Sequence, residues 1–288
     1  AVSNDLGGKS ADRCNNLVKA GGDPAPNPLP ILPAVPRAHH RLHARSNTLL
    51  SDDMCPPSSN GTTSVYLQTT GNGHVQAIRS QKDRDKYPDR INLDRRGLSH
   101  IPHIVNESKL RLLSAQHNLV TSLDNFSTNG SASFSKLVFL DLYDNQIEVI
   151  SGLDALGNLR VLLLGKNRIK NIEGLKCVPR LEVLDLHGNQ ISVINNLGAL
   201  ADLKVLNLAG NQIRAVGCAD LEGLKSLQEL NLRRNRLSRL LGFGQTPNLV
   251  KLFLNNNQMQ SIEDMSSLPS LLKLEEINID SNPVATNG

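Results

Sequence analysis

Leucine and isoleucine return in one fixed frame along the second two-thirds of this 288-residue chain. One copy reads Leu140, Leu142, Asn145, Ile147, Ile150, and the next reads Leu162, Leu164, Asn167, Ile169, Ile172. The frame continues through Leu184, Leu186, Asn189, Ile191, Ile194 and through Leu206, Leu208, Asn211, Ile213, Val216. Leu230, Leu232, Asn235, Leu237, Leu240 and Leu252, Leu254, Asn257, Met259, Ile262 follow, and a last copy begins at Ile277, Ile279, Asn282. Towards the N-terminus, Leu113, Ala115, Asn118, Val120, Leu123 fits, as does Ile91, Leu93, Arg96, Leu98, Ile101 with arginine in the asparagine slot. The slot positions 96, 118, 145, 167, 189, 211, 235, 257 and 282 give a period of 22 with insertions of five, two and three residues. The longest insertion lies in a Ser/Asn/Gly-rich stretch at 125–135, read as a loop.

Each copy predicts one rung. The apolar pair separated by one residue is a short strand with both side chains inward, and nine such strands about 4.8 Å apart make a parallel sheet roughly 40 Å long. The asparagine that follows satisfies buried backbone groups in the turn, so Asn118, Asn145, Asn167, Asn189, Asn211, Asn235, Asn257 and Asn282 are expected to form a ladder. Three further apolar positions, such as Ile150, Leu153 and Leu156, return the chain over the core as 3-10 or irregular backbone, because 22 residues leave little room for a long helix. A period in this range with this motif predicts an α/β solenoid: a right-handed leucine-rich-repeat superhelix, a horseshoe arc with the parallel sheet on its concave face and about nine rungs. The absence of tryptophan and the 3% aromatic content fit a core of stacked aliphatic positions.

Residues 1–86 differ. The run Pro24-Ala25-Pro26-Asn27-Pro28-Leu29-Pro30-Ile31-Leu32-Pro33 favours extended backbone, and the surrounding Gly, Ser and Asn clusters bury too little apolar surface to fold. The expectation is a disordered N-terminal tail over 1–86, with a short hairpin at 65–78 placed to shield the first rung, and a repeat domain over 87–288. Beyond Pro283 no capping helix is foreseen, so the chain is expected to continue or another protein to cover the last rung. The first residue is alanine, as in a processed chain or a fragment, and Ala1 to Asp5 show no leader pattern.

The remaining chemistry narrows the function by exclusion. A net charge of +4 is too small to predict nucleic-acid binding, and no apolar run approaches a membrane span. Cys14, Cys55, Cys177 and Cys218 are scattered, which reads as reduced thiols in a cytoplasmic protein. The Asn-x-Ser/Thr matches at Asn60, Asn106, Asn125 and Asn129 are accordingly read as chance. Gly8-Lys9-Ser10 lacks the upstream glycine of a phosphate loop, with Ser3 in its place, and His39, His40 and His43 lack Cys or carboxylate support for a metal. No nucleophile accompanies Asp185 and His187, so a non-catalytic protein without cofactor or metal is expected.

Function then falls on the outward strand positions. One row runs Asn92, Ser114, Asp141, Leu163, Asp185, Asn207, Asn231, Phe253, Asn278, and the next Asp94, Gln116, Tyr143, Gly165, His187, Ala209, Arg233, Asn255, Asp280. A leading row, Arg90, Leu112, Phe139, Val161, Val183, Val205, Glu229, Lys251, Glu276, has five consecutive apolar members and would bind a partner if exposed. The predicted protein-binding face comprises Phe139, Asp141, Tyr143, Leu163, Lys166, Asp185, His187, Asn207, Asn231, Arg233, Arg234 and Phe253, with Tyr143 and Phe253 as anchors. Lys166, Arg168, Lys170, Arg214, Arg233, Arg234, Arg236 and Arg239 form a basic cluster that could grip an acidic partner.

The 22-residue period resembles the short-repeat intracellular class typified by a regulatory subunit of phosphatase-1. The runs from Asp89 to Leu98, Phe139 to Ile147, Arg160 to Ile169 and Val183 to Ile191 resemble more closely the leucine-rich-repeat subunit of the tubulin polyglutamylase complex. That likeness includes free positions, Tyr143, Gly165, Lys166 and His187, and spans Asp89 to Ala285; the last rungs fit less well and the tail not at all. It implies a scaffold, monomeric within a larger complex, that helps bring a glutamate-adding enzyme to microtubules in cytoplasm, centriolar satellites or cilia. Its partners would be polyglutamylase subunits or tubulin. The alternatives are a phosphatase-1-type regulator and an axonemal dynein-associated repeat protein.

Overall fold

The computed structural model describes residues 65–71, 73–128 and 134–286. The polyproline stretch, Gly8-Lys9-Ser10, the three clustered histidines, Cys14 and Cys55 lie outside the described residues.

Nine short strands stack in chain order into one parallel sheet: Arg90–Asn92, Leu112–Ser114, Phe139–Asp141, Val161–Leu163, Val183–Asp185, Val205–Asn207, Glu229–Asn231, Lys251–Phe253 and Glu276–Asn278. Their register is constant. Leu112, Phe139, Val161, Val183 and Val205 face one another along one row, and Asp141, Leu163, Asp185 and Asn207 along another. Inside, each rung contributes the same apolar set. In the third rung Leu140, Leu142, Ile147, Ile150, Leu153, Leu156 and Leu159 are all buried, and they join one continuous core. Removing such a leucine side chain leaves a cavity costing about 2–5 kcal/mol.

The asparagines hold the rungs through backbone, not through one another. Asn167 donates from Nδ2 to the Leu142 carbonyl of the preceding rung and to the Leu164 carbonyl of its own, each at 3.0 Å. Its Oδ1 accepts the Ile147 N–H at 3.0 Å. Asn118, Asn145, Asn189, Asn211, Asn235, Asn257 and Asn282 repeat this pattern. The residue before each slot is left-handed in every rung, with φ between 52° at Lys166 and 67° at Gly210. This turn reverses the chain out of the sheet. Glycine occupies it in rungs five and six (Gly188, Gly210), whereas Lys166 and Arg234 adopt it as non-glycine residues.

Arg96 explains the first rung. Among the described residues no rung precedes it, and Arg96 Nη1 instead reaches the Val65 carbonyl at 2.7 Å. Val65–Thr69 pairs antiparallel with Val75–Arg79, which pairs parallel with His103–Ile104 of the first rung. Val65 and Ala77 enter the main core. A helix at Gln81–Lys86, capped by Ser80, lies within the stretch assigned from sequence to the tail. Its residues QKDRDK carry no apolar face, so hydrophobic pattern gave no sign of it. Arg79 fixes this cap: it pairs with Glu107 and donates to the Tyr87 and Arg90 carbonyls at 2.6 and 2.9 Å.

The return side is built of turns and 3-10 segments, among them Leu175–Cys177 and Phe243–Gln245, with a two-stranded parallel ladder of Ala215–Val216 and Arg239–Leu240. In the five-residue insertion, Phe126 and Phe134 are fully buried with ring centroids 5.0 Å apart, so the stretch read as a polar loop supplies two core residues. At the far end Pro283–Thr286 forms a helical turn that the sequence pattern did not foresee, and its Val284 N–H bonds the Met259 carbonyl at 3.0 Å. Leu272 and Ile277 of the last rung nevertheless remain exposed.

Candidate functional site on the concave sheet

The outward rows fall into unlike parts. In the leading row, Leu112, Phe139, Val161 and Val183 are buried against one another, with Leu163 and Val205 half-buried beside them. The row therefore closes on itself and is not an open apolar stripe. Strands about 4.8 Å apart bring equivalent side chains into contact, and like neighbours cover like. Phe253 and Tyr143, the two expected anchors, are both mostly covered, and they stand five rungs apart.

A compact cluster forms over rungs two to five. Tyr143 lies edge-on to His117, centroids 5.5 Å apart at 86°, and tilted at 32° to His187, again at 5.5 Å. The intervening rung places Gly165 between Tyr143 and His187. A Cβ there would run into the His187 imidazole, so glycine is what lets that ring lean across. The Lys166 ammonium sits 5.2 Å from the Tyr143 ring centre. The hydrogen bond with Tyr143 leads the contributions raising the Lys166 pKa. His117 Nδ1 is 2.7 Å from Asp144 Oδ2.

Carboxylates brace the cluster. Asp185 Oδ1 accepts the His187 N–H at 2.9 Å and lies 2.8 Å from His187 Nδ1. Burial opposes protonation of His187, but the Asp185 hydrogen bond and charge outweigh it and raise the imidazole pKa. Asp141 accepts the Tyr143 N–H at 3.0 Å and the Gln116 side-chain amide at 2.5 Å. Burial, aided by the Asp94 and Asp185 charges, pushes its pKa up to about 7. Asp94 in turn accepts from the Ser114 hydroxyl and the Gln116 N–H. The Asp-to-i+2 amide bond recurs with asparagine at Asn207 and Asn231, which turn their oxygens to Ala209 and Arg233.

Arg233 is half-buried, and burial with the adjacent Arg234 cation lowers its pKa. Arg234 is exposed at the rim. Asp141, Tyr143, Lys166, Asp185 and His187 are thus brought together. Phe139 and Leu163 lie in the apolar row beside them, and Asn207, Asn231, Arg233 and Arg234 follow on later rungs. Sequence reading missed His117 and Gln116 as cluster members. The signal was their place in the same frame, one rung before Tyr143. Among the described residues, no group of three or more His, Cys, Asp or Glu side chains could hold a metal ion.

Repeated leucine strands, a backbone-bonding asparagine in each turn and one continuous parallel sheet decide the architecture. The chain is a leucine-rich-repeat solenoid. The leucine-rich-repeat family matches residues 176–288, and a two-copy leucine-rich-repeat family matches residues 135–177. Human leucine-rich repeat-containing protein 49 is 47% identical over 78 residues, covering 27% of this chain and 11% of that protein. Among solved structures, an internalin C2 of Listeria monocytogenes superposes with a TM-score of 0.58 at 25% identity, covering 70% of this chain and 84% of its own. A leucine-rich-repeat protein of Leptospira interrogans gives 0.54 at 28% identity, covering 62% and 45% respectively. A leucine-rich-repeat solenoid of this kind is a protein-interaction scaffold. Among the described residues no helix is long and apolar enough to cross a membrane.

Proposed function

We propose that the solenoid is a non-catalytic scaffold which holds a protein partner against the concave cluster of rungs two to five. Through that partner it brings a tubulin-polyglutamylating enzyme to microtubules of the cytoplasm, the centriolar region or the cilium. The observation that carries the reading is the contact of Tyr143 and His187 across Gly165, with Lys166 over the tyrosine ring. The repeat framework does not require those residue types there, since its own needs end with the inward apolar positions and the asparagine. These are also free positions in the sequence likeness to the leucine-rich-repeat subunit of the tubulin polyglutamylase complex. The cluster offers a partner the half-buried His187 ring and the exposed Lys166 cation on a rigid sheet, with the buried Tyr143 ring holding both in place.

Affinity purification of the tagged chain from its own cells, with mass spectrometry of what is retained, tests the reading. Tubulin, a tubulin-ligase-like enzyme and small complex subunits are expected with the natural chain. They should be lost with Tyr143→Ala/His187→Ala, whose unfolding transition must stay cooperative. Recovery of a phosphatase catalytic subunit or an axonemal dynein in their place would replace the reading, and retention by the double variant would remove the concave cluster from it.

A further inference from the structure

The edge where the chain leaves the sheet differs from the opposite edge in how it treats charge. On the leading edge, Glu182 of rung five pairs with Arg160 of rung four and with Lys204 of rung six, and Lys251 pairs with Glu276. Cations there are neutralised from rung to rung. On the departing edge of rungs four to seven, the segments 166–171, 187–194, 209–216 and 233–240 contain no Asp or Glu. Arg168, Lys170, Arg214, Arg234 and Arg236 are all exposed there, and among the described residues none of them is in an ion pair. Arg233 and Arg234 stand side by side in the chain, so like charges meet at this edge.

The cations are not spread evenly. Backbone bonds from Gly188 to Ala209, Gly210 to Arg233, Gln190 to Ile169, Gln212 to Ile191 and Arg236 to Ile213 stack these positions in register. One row therefore runs Lys166, Gly188, Gly210, Arg234, and the next runs Arg168, Gln190, Gln212, Arg236. Both have cations at rungs four and seven and neutral residues between. The left-handed turn takes glycine only at the two middle rungs, with φ of 66° and 67°. The result is a saddle floored by Gly188 and Gly210, edged by the amides of Gln190 and Gln212, with a basic wall at each end. Three rung intervals separate the walls by about 14 Å, the length of about four residues of extended chain.

We infer that this saddle is a docking site for an extended acidic peptide, whose carboxylates reach the two basic walls while its backbone crosses the glycine floor. Bare backbone admits close approach of another backbone, and the glutamine amides can bond its peptide groups. Arginine guanidiniums match carboxylates in a bidentate fashion. A single-stranded nucleic acid fits less well, because the saddle holds no aromatic ring on which a base could stack. The site shares only Lys166 with the concave cluster; Arg168, Arg234 and Arg236 lie outside that cluster, so the saddle stands whether or not that reading holds.

Binding of a fluorescent glutamate-rich peptide, with its acidic residues in two groups about four positions apart, is read by anisotropy. The expected result is saturable binding that weakens as salt rises. Arg168→Glu/Arg236→Glu should weaken it by about tenfold or more, with Arg168→Gln/Arg236→Gln in reserve if the reversed pair misfolds. Gly188→Asn/Gly210→Asn fills the floor without changing charge, and Asn256 already occupies the equivalent left-handed position in rung eight with φ of 59°. This variant should weaken binding by a similar factor. Tyr143→Ala/His187→Ala, which touches the walls only through Lys166, should weaken it far less than either pair. Absence of binding at low salt, indifference to either pair of substitutions, or tighter binding of a single-stranded oligonucleotide of equal charge would overturn the proposal.

Discussion

Tyr143 and His187 lie two rungs apart, yet their ring centroids are 5.5 Å from each other. Their contact exists because Gly165 leaves the intervening position empty. Gly165→Ala should therefore act on the histidine more than on the fold, since the atoms it displaces are the end of a side chain. A loss of stability of about 1 kcal/mol is expected. The imidazole should be driven from Asp185, and its raised pKa should fall towards the ordinary value. An NMR titration of His187 in natural and Gly165→Ala chains measures this, and identical titrations would show that the ring keeps its place without the glycine.

Asp141 makes the solenoid's stability depend on pH. Its carboxyl titrates near 3.8 when unfolded and at about 7 in the fold. Between those values the folded chain holds a proton that the unfolded chain has released, so this contribution is full below about pH 4 and is lost as pH rises through 7. The whole difference amounts to roughly 4 kcal/mol. Asp141→Asn removes it while keeping an acceptor for the Tyr143 amide. Urea unfolding from pH 5 to pH 8 should show the natural chain losing stability relative to the variant. Parallel curves would mean that the Asp141 carboxyl is not held near neutral pH in the fold.

The asparagine turns predict a gradient along the stack. Asn189→Ala strands the buried Ile169 N–H, worth about 1–3 kcal/mol when unpaired, and takes one of two amide donors from the Leu164 and Leu186 carbonyls, which keep Asn167 and Asn211. Asn282→Ala acts at the last rung, where its bond from Met259 is already 3.3 Å and exposed Leu272 and Ile277 mark a looser end. Its cost should be clearly smaller. Equal losses in thermal unfolding of the two variants would contradict this account of how the rungs are joined.

How much of this was legible in the sequence follows from where the information sits. Rung number, strand register and the row memberships of Asp141, Tyr143 and His187 came from the frame, because each is a property of one repeat copied at a fixed period. The closure of the Leu112 to Val183 row, the gap at Gly165 and the role of His117 depend on side chains about 22 residues apart, which the frame aligns but does not size. The cap was hidden for another reason. Arg79, Arg96 and Glu107 hold it by polar bonds that leave no hydrophobic period. The left-handed turn was not foreseen, since glycine fills it only at Gly188 and Gly210 while Lys166 and Arg234 adopt it against their own preference.

That last conformation separates stability from binding. At φ of 52°, Lys166 adopts a backbone that disfavours a side chain by about 1–2 kcal/mol, whereas glycine accepts it readily. Rungs five and six show that the fold itself is content with glycine at this turn. Lys166→Gly should therefore leave the solenoid as stable as before, or more stable by about 1 kcal/mol. It should also remove the cation from the Tyr143 ring and weaken retention of the concave-face partner. Denaturant unfolding and partner pull-down on the same variant test both halves. If Lys166→Gly destabilises the chain, the lysine is there for the fold, and its place over Tyr143 is a structural brace instead of part of a binding surface.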